Sequence, residues 1–189
     1  MSLTQDGPTQ GGLKTQGGLT TQGGLKTALY ILIVAIVAAL ATPRPVTAAE
    51  SFKPFKKLKA LDGSQQSLGD VLGSKATLVV FFFPTCPYCN AAFPEVQKIY
   101  ERYKDQGLAM VWINVLPDEE KLIAPWRAQH GYTAPVLLGN RSVANAYKLR
   151  MTPTHFLLDA KGAVLSTHAG YSAGDEKILE RDVHQALGN

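Results

Sequence analysis

This chain of 189 residues is poor in cysteine: it has two. Two thiols cannot make the several bridges of a disulfide scaffold, nor by themselves the four-ligand set of a structural zinc site. Charge is scarce as well, at 18% of residues, with a formal net charge of only +4. No basic-and-aromatic repeat accompanies it, and Lys53, Lys56, Lys57 and Lys59 read as a solvated face, so no nucleic-acid partner is expected. The longest apolar run, Ala28–Ala41, is shorter than the roughly 20 residues that normally cross a bilayer core. What remains is one domain of ordinary hydrophobic content, 46%, with an N-terminal appendage.

The appendage has two parts. Residues 1–27 contain a hexapeptide, Thr-Gln-Gly-Gly-Leu-Lys/Thr, repeated three times over residues 9–27. Such a stretch buries almost nothing and is expected to be a disordered tail; a passive extension, or repetitive DNA translated from a misplaced start, explains it as well as a function does. Residues 28–42 resemble the apolar core of a secretory signal, with Lys26 before them and Thr42-Pro43-Arg44-Pro45 after. Kept, this segment is a single-pass inner-membrane anchor with residues 50–189 in the periplasm or outside. Cut after Val46-Thr47-Ala48, near Ala48, it leaves a soluble periplasmic or secreted domain. Retention is the preferred reading, and both readings export the domain.

Residues 50–189 alternate strand and helix patterns. Leu78–Phe83 is apolar at consecutive positions, as a central strand covered on both faces would be. Phe93, Val96, Tyr100 and Tyr103 then recur at helical spacing, with Pro87 suited to the first turn, Gly107 to the cap, and Pro94 placed where it should kink the helix. Ala109–Val115 reads as a second buried strand, residues 119–130 as a helix that Pro125 bends, Pro135–Leu138 as a short apolar segment and Ser142–Tyr147 as a brief helix. Phe156–Asp159 and Ala163–Thr167 form a hairpin through Ala160-Lys161-Gly162, and Asp175–Leu187 is the last helix. The order predicts a three-layer α/β sandwich around a mixed sheet, with chemistry at the first strand-to-helix junction.

That junction carries both cysteines, as Cys86-Pro87-Tyr88-Cys89. A thiol attacks a disulfide only after ionising, and unpaired N–H groups and the positive end of a helix dipole favour the thiolate of Cys86. Cys89 lies one turn further on the same side. Cys86 is therefore expected to be an outward-facing nucleophile and Cys89 the resolving thiol that closes the disulfide and releases substrate. A zinc half-site and a purely structural bridge are the plain alternatives. His130, His155, His168 and His184 are too scattered to complete a Cys₂His₂ set, and a loop this short adds little stability. No metal and no cofactor are expected.

Around this pair the chain resembles the thioredoxin superfamily, and more closely its exported, often membrane-anchored TlpA/ResA-like thiol–disulfide oxidoreductases. The resemblance covers most of residues 50–189. It rests on Phe52, Leu61-Asp62-Gly63 and Ser67-Leu68, on Val79 through Cys89, and on Phe93-Pro94 and Tyr147-Lys148-Leu149. It continues in Met151-Thr152-Pro153-Thr154, Phe156 to Asp159, and Lys161-Gly162. It implies a thioredoxin-like fold and a cis Pro153 that shapes the substrate groove together with Pro87 and Tyr88. The backbone of Thr152 would pair with an extended partner segment.

The chain departs from the family in several places. Val80 stands where many relatives carry an acid or Asn, the usual active-site Trp is replaced in that neighbourhood by Phe82 and Thr85, and Pro87-Tyr88 is more like glutaredoxins. Asp118 or Glu119, after the second strand, are the candidates for proton handling.

The resemblance implies an exported protein-disulfide reductase acting on cysteine-containing exported proteins, with apocytochrome c before haem attachment as one substrate, and drawing on a membrane electron donor. A disulfide-forming oxidase uses the same residues with electrons flowing the other way. A thiol peroxidase is disfavoured by Phe83, which stands where such sites need Thr. A non-catalytic copper-handling assembly factor is disfavoured by the lack of a Met or His partner near the thiols.

Overall fold

The computed structural model describes residues 52–188; the repeat tail, the apolar segment 28–42 and the cleavage position near Ala48 lie outside the described residues. Among the described residues no helix is long and apolar enough to cross a membrane. The seven strands are β1 (Leu58–Ala60), β2 (Gln65–Gln66), β3 (Ala76–Phe82), β4 (Leu108–Asn114), β5 (Val136–Leu138), β6 (Thr154–Asp159) and β7 (Val164–Ala169). The helices are α1 (Leu68–Val71), α2 (Pro87–Tyr103), α3 (Glu120–His130), α4 (Arg141–Ala146) and α5 (Asp175–Ala186). The strands lie in the order β2-β1-β5-β4-β3-β6-β7. β3 runs parallel to β4 and antiparallel to β6, so the sheet is mixed, as the sequence predicts.

β3 is buried at every position, and the two-residue period of a strand divides its side chains between two cores. Leu78, Val80 and Phe82 face α2 and α5, where they join Phe93, Val96, Leu179 and Val183. Val79 and Phe81 face the other way, against Phe52, Phe55, Val111, Ile113 and Leu158. Each such side chain contributes roughly 1.5–3 kcal/mol by leaving water, and this burial fixes where β3 ends. The start of the described chain is pinned to the second core, with Phe52 stacked on Tyr147 at 4.6 Å and the Tyr147 hydroxyl donating to the Lys53 carbonyl at 2.5 Å.

β1, β2 and α1 precede the first strand foreseen from sequence. Lys53, Lys56, Lys57 and Lys59, on and before β1, are all exposed. α2 runs from Pro87 to Tyr103 with Pro94, where the sequence suggests a kink, inside it on the exposed side. A 3₁₀ turn follows, and Gly107 closes it at φ 104°, where a Cβ would come within 2.7 Å of the Ser74 hydroxyl.

Among the described residues His155 is the one Asp, Glu, His, Lys or Arg that is buried. It stands on β6 opposite Val80 of β3 and His168 of β7, and it lines a cavity of about 270 Å³ with Val96, Tyr171, Glu176 and Leu179. Neither of its ring nitrogens has a hydrogen-bond partner among the described residues. Burial, with His168 alongside, pushes it from the ordinary 6.5 down to about 4. Between those values the unfolded chain binds a proton that the folded chain refuses, so stability falls as pH drops through this window. Urea unfolding over a pH series is expected to show an acid-side loss of up to about 3 kcal/mol that His155→Leu removes; parallel curves for the two proteins would contradict it.

Candidate active site

The pair stands where β3 hands over to α2. Cys86 is the N-cap of α2, with extended backbone at φ −69° and ψ 114°, and Pro87 takes the first helical position without forgoing a bond. The Cys86 N–H donates to the Phe83 carbonyl at 3.1 Å, while the Cys86 carbonyl accepts from the Asn90 N–H at 3.0 Å and starts the helix. The Cys86 Sγ accepts the Cys89 N–H at 3.1 Å, a place usually held by a Ser or Asp oxygen. Cys86 and Cys89 form a disulfide with their Cα atoms 5.2 Å apart.

The sequence suggests an outward-facing Cys86, but the residue is only 2% exposed and Cys89 is fully buried. The cover comes from the segment before β6. The peptide between Thr152 and Pro153 is cis, and the Thr152 Oγ1 and carbonyl oxygen lie 3.4 and 3.6 Å from the Cys86 Sγ. This segment is tied down by the Gly170 N–H donating to the Pro153 carbonyl at 2.8 Å and the Thr154 hydroxyl donating to the Met151 carbonyl at 2.8 Å. Gly170 sits at φ 81°, a conformation that residues with a Cβ rarely adopt. The apolar surface beside the sulfurs is offered by Tyr88 and Met151, 63% and 51% exposed.

A third segment grips the loop before Cys86. The fully buried Asn114 turns the chain after β4, donating from Nδ2 to the Leu116 carbonyl and accepting the Leu116 N–H. A 3₁₀ turn, Pro117–Glu119, then delivers Glu119 to Thr85. The Glu119 carboxylate accepts the Thr85 N–H at 3.0 Å and the Thr85 hydroxyl at 2.6 Å. Asp118 is exposed and takes no part in this contact. Of the two carboxylates singled out from sequence, one is thus anchored next to Cys86 on a backbone and hydroxyl donor.

Sequence reasoning did not find Asn90 and Trp126. The Asn90 Nδ2 donates to the Pro84 carbonyl at 2.9 Å, and its Oδ1 accepts the Trp126 indole N–H at 2.7 Å. Trp126 stacks on Phe82 at 5.1 Å and meets the edge of Phe93 at 5.0 Å, so α3 is anchored in the aromatic floor beneath the pair. The position of Asn90, directly after Cys89 on the first helical turn, was a usable signal; its partner 36 residues away was not.

The arrangement favours charge on one sulfur and not on the other. The Cys86 Sγ faces an N–H at the positive end of α2, whose first turn carries no acidic residue. Cys89 is enclosed with Val80, Phe82, Ala92 and Phe93, which disfavours its thiolate. Among the described residues no group of three or more His, Cys, Asp or Glu is placed to hold a metal ion.

The Redoxin family matches residues 47–183. The chain is 31% identical over 132 residues to the thioredoxin-like protein YneN of Bacillus subtilis, covering 69% of this chain and 76% of YneN. It is 30% identical over 146 residues to the thiol-disulfide oxidoreductase ResA of Geobacillus kaustophilus, covering 74% of this chain and 82% of ResA. A crystal structure from Chlorobium tepidum, titled as a thiol:disulfide interchange protein DsbE, superposes with a TM-score of 0.68 at 26% identity, covering 75% of this chain and 98% of that one. Some curated relatives are much longer, and the chain spans as little as 17% of their length.

Replacing Asn90 by Ala leaves the Pro84 carbonyl and the Trp126 indole unpaired beneath the loop. A loss of roughly 1–3 kcal/mol in denaturant unfolding is expected, with intact disulfide; an unchanged midpoint would show that this bridge carries no weight.

Proposed function

We propose, from the premise that this chain belongs to the Redoxin family and to its ResA-like thiol–disulfide oxidoreductases, that Cys86 and Cys89 reduce disulfides in exported proteins. The observation that carries this reading is the Cys86 Sγ capping α2 on the Cys89 N–H at 3.1 Å, with Cys89 as its disulfide partner. Reduced, Cys86 meets the substrate as a thiolate supported by that N–H and by the helix. Its sulfur attacks one substrate sulfur, forming a mixed disulfide, and the other substrate sulfur leaves with the bonding pair and takes a proton from water.

Cys89 then gives its proton to solvent and attacks the Cys86 Sγ. The mixed disulfide breaks, the second substrate sulfur leaves as a thiolate, and the enzyme retains the disulfide. Two electrons have passed to the substrate, and a dithiol donor at the membrane returns them. Thr152 and Pro153 line the approach, where an extended substrate segment pairs with the Thr152 backbone beside Pro87 and the exposed Tyr88 and Met151.

The proposed substrates are cysteine pairs of exported proteins, apocytochrome c before haem attachment among them. The domain is proposed to sit on the outer face of the inner membrane, held by residues 28–42, with release after cleavage near Ala48 as the alternative. Tethering would keep donor and acceptor at high effective concentration.

Redox titration is expected to give a potential nearer thioredoxin's, about −270 mV, than DsbA's, about −120 mV; a value at the DsbA end would reverse the direction. In cells, Cys89→Ala is expected to accumulate Cys86-linked mixed disulfides with exported proteins. Trapping through Cys89 in a Cys86→Ala variant instead would exchange the two roles.

A further inference from the structure

Glu119 reaches the active-site loop from a different part of the chain and is held there by two bonds. Both of its carboxylate oxygens are used, one on the Thr85 N–H at 3.0 Å and one on the Thr85 hydroxyl at 2.6 Å. Thr85 immediately precedes Cys86, the N-cap of α2. No Lys, Arg or His forms an ion pair with Glu119 among the described residues, so no cation cancels its charge. The first turn of α2 has no acid of its own. A fixed carboxylate is therefore anchored on the residue that precedes the N-cap sulfur.

We infer that Glu119 is a positioning residue that sets the redox poise of Cys86, its carboxylate fixing Thr85 and opposing the neighbouring thiolate. Two negative groups held on adjacent residues repel, and the carboxylate is present in both redox states while the thiolate exists only in the reduced one. The repulsion thus falls on the reduced form and weights the couple toward the disulfide, making the dithiol the stronger electron donor. DsbA shows the converse, a strong oxidant because its reduced form is stabilised. No bond is added to the exchange: the couple remains a disulfide taking two electrons and up to two protons. The inference rests on the proposed reaction for its meaning, since a reductase gains from this poise.

The same geometry separates charge from architecture. Glu119→Gln keeps a carbonyl oxygen to accept from Thr85 but removes the charge. Glu119→Asp keeps the charge on a shorter arm. Thr85→Val keeps the N–H donor and the carboxylate but loses the hydroxyl.

For the full chain, Glu119→Gln is expected to lower the Cys86 thiol pKa by about one unit, a tenfold rise in the thiolate-to-thiol ratio, read from the pH dependence of alkylation. At mildly alkaline pH the potential should rise by about 30 mV, the equivalent of a tenfold shift in the equilibrium of this two-electron couple. The difference between Glu and Gln should shrink in high salt, and Glu119→Asp should stay closer to wild type than Gln does. Thr85→Val should move both readouts less than Glu119→Gln.

An unchanged alkylation profile and potential in Glu119→Gln would overturn the inference, as would Thr85→Val matching its shift. If the wild-type potential proves strongly oxidising while Glu119→Gln still raises it, the reductase reading fails and the role of Glu119 stands. If the wild type is reducing and the Gln variant identical to it, the reverse holds.

Discussion

A sulfur in the place of a helix cap is the contact on which the site depends. The Cys86 Sγ receives the Cys89 N–H at 3.1 Å, alongside the disulfide that joins the two residues. This geometry needs the chain to leave β3 at a fixed point and turn at once into α2. β3 supplies that point because both of its faces are buried, so sliding it by one residue would exchange its two cores. The energy that places a reactive thiol therefore lies mostly in apolar side chains that never touch it.

Three distant stretches meet over this junction. Residues 151–153 bring Thr152 to within 3.4 Å of the Cys86 Sγ from one side. From the other, Glu119 and Trp126 hold Thr85 directly and Pro84 through Asn90. Each of these is a hydrogen bond worth about 1 kcal/mol net, but together they fix the loop on both flanks of the sulfurs. The cavity beside His155 lies behind this arrangement, walled by β6, β7 and α5, and shares Val96 of α2 with the core around Cys89.

The long elements were legible in the sequence because burial writes itself as periodicity. β3 and β4 are continuous apolar runs, α2 and α5 carry apolar residues at helical spacing, and the Asp159–Gly162 turn separates β6 from β7. β1, β2 and α1 were not legible: they have three, two and four residues, too few for a period, and β1 and β2 are rich in Lys and Gln. The cysteine spacing announced a helix start, yet it says nothing about what folds over it. Thr152 is 66 residues from Cys86, and Trp126 is 36 from Asn90; such contacts leave no local pattern. The burial of Cys86 and the grip of α3 on the loop follow from topology, which places β6 beside β3 and brings the turn after β4 beside the turn after β3.

The apolar surroundings also bear on which way electrons run. A disulfide carries no charge, whereas a dithiol that functions must ionise. Cys89 is buried in the same apolar cluster as Val80, Phe82, Ala92 and Phe93. In the proposed mechanism the helix end favours charge on Cys86 and burial disfavours it on Cys89, which is why attack is given to the first thiol and resolution to the second. The same enclosure favours the uncharged disulfide over a reduced pair ionised at Cys89. An environment that accepts the bonded state easily and the charged state reluctantly gives its electrons away, and that is the direction in which the proposed reductase must work.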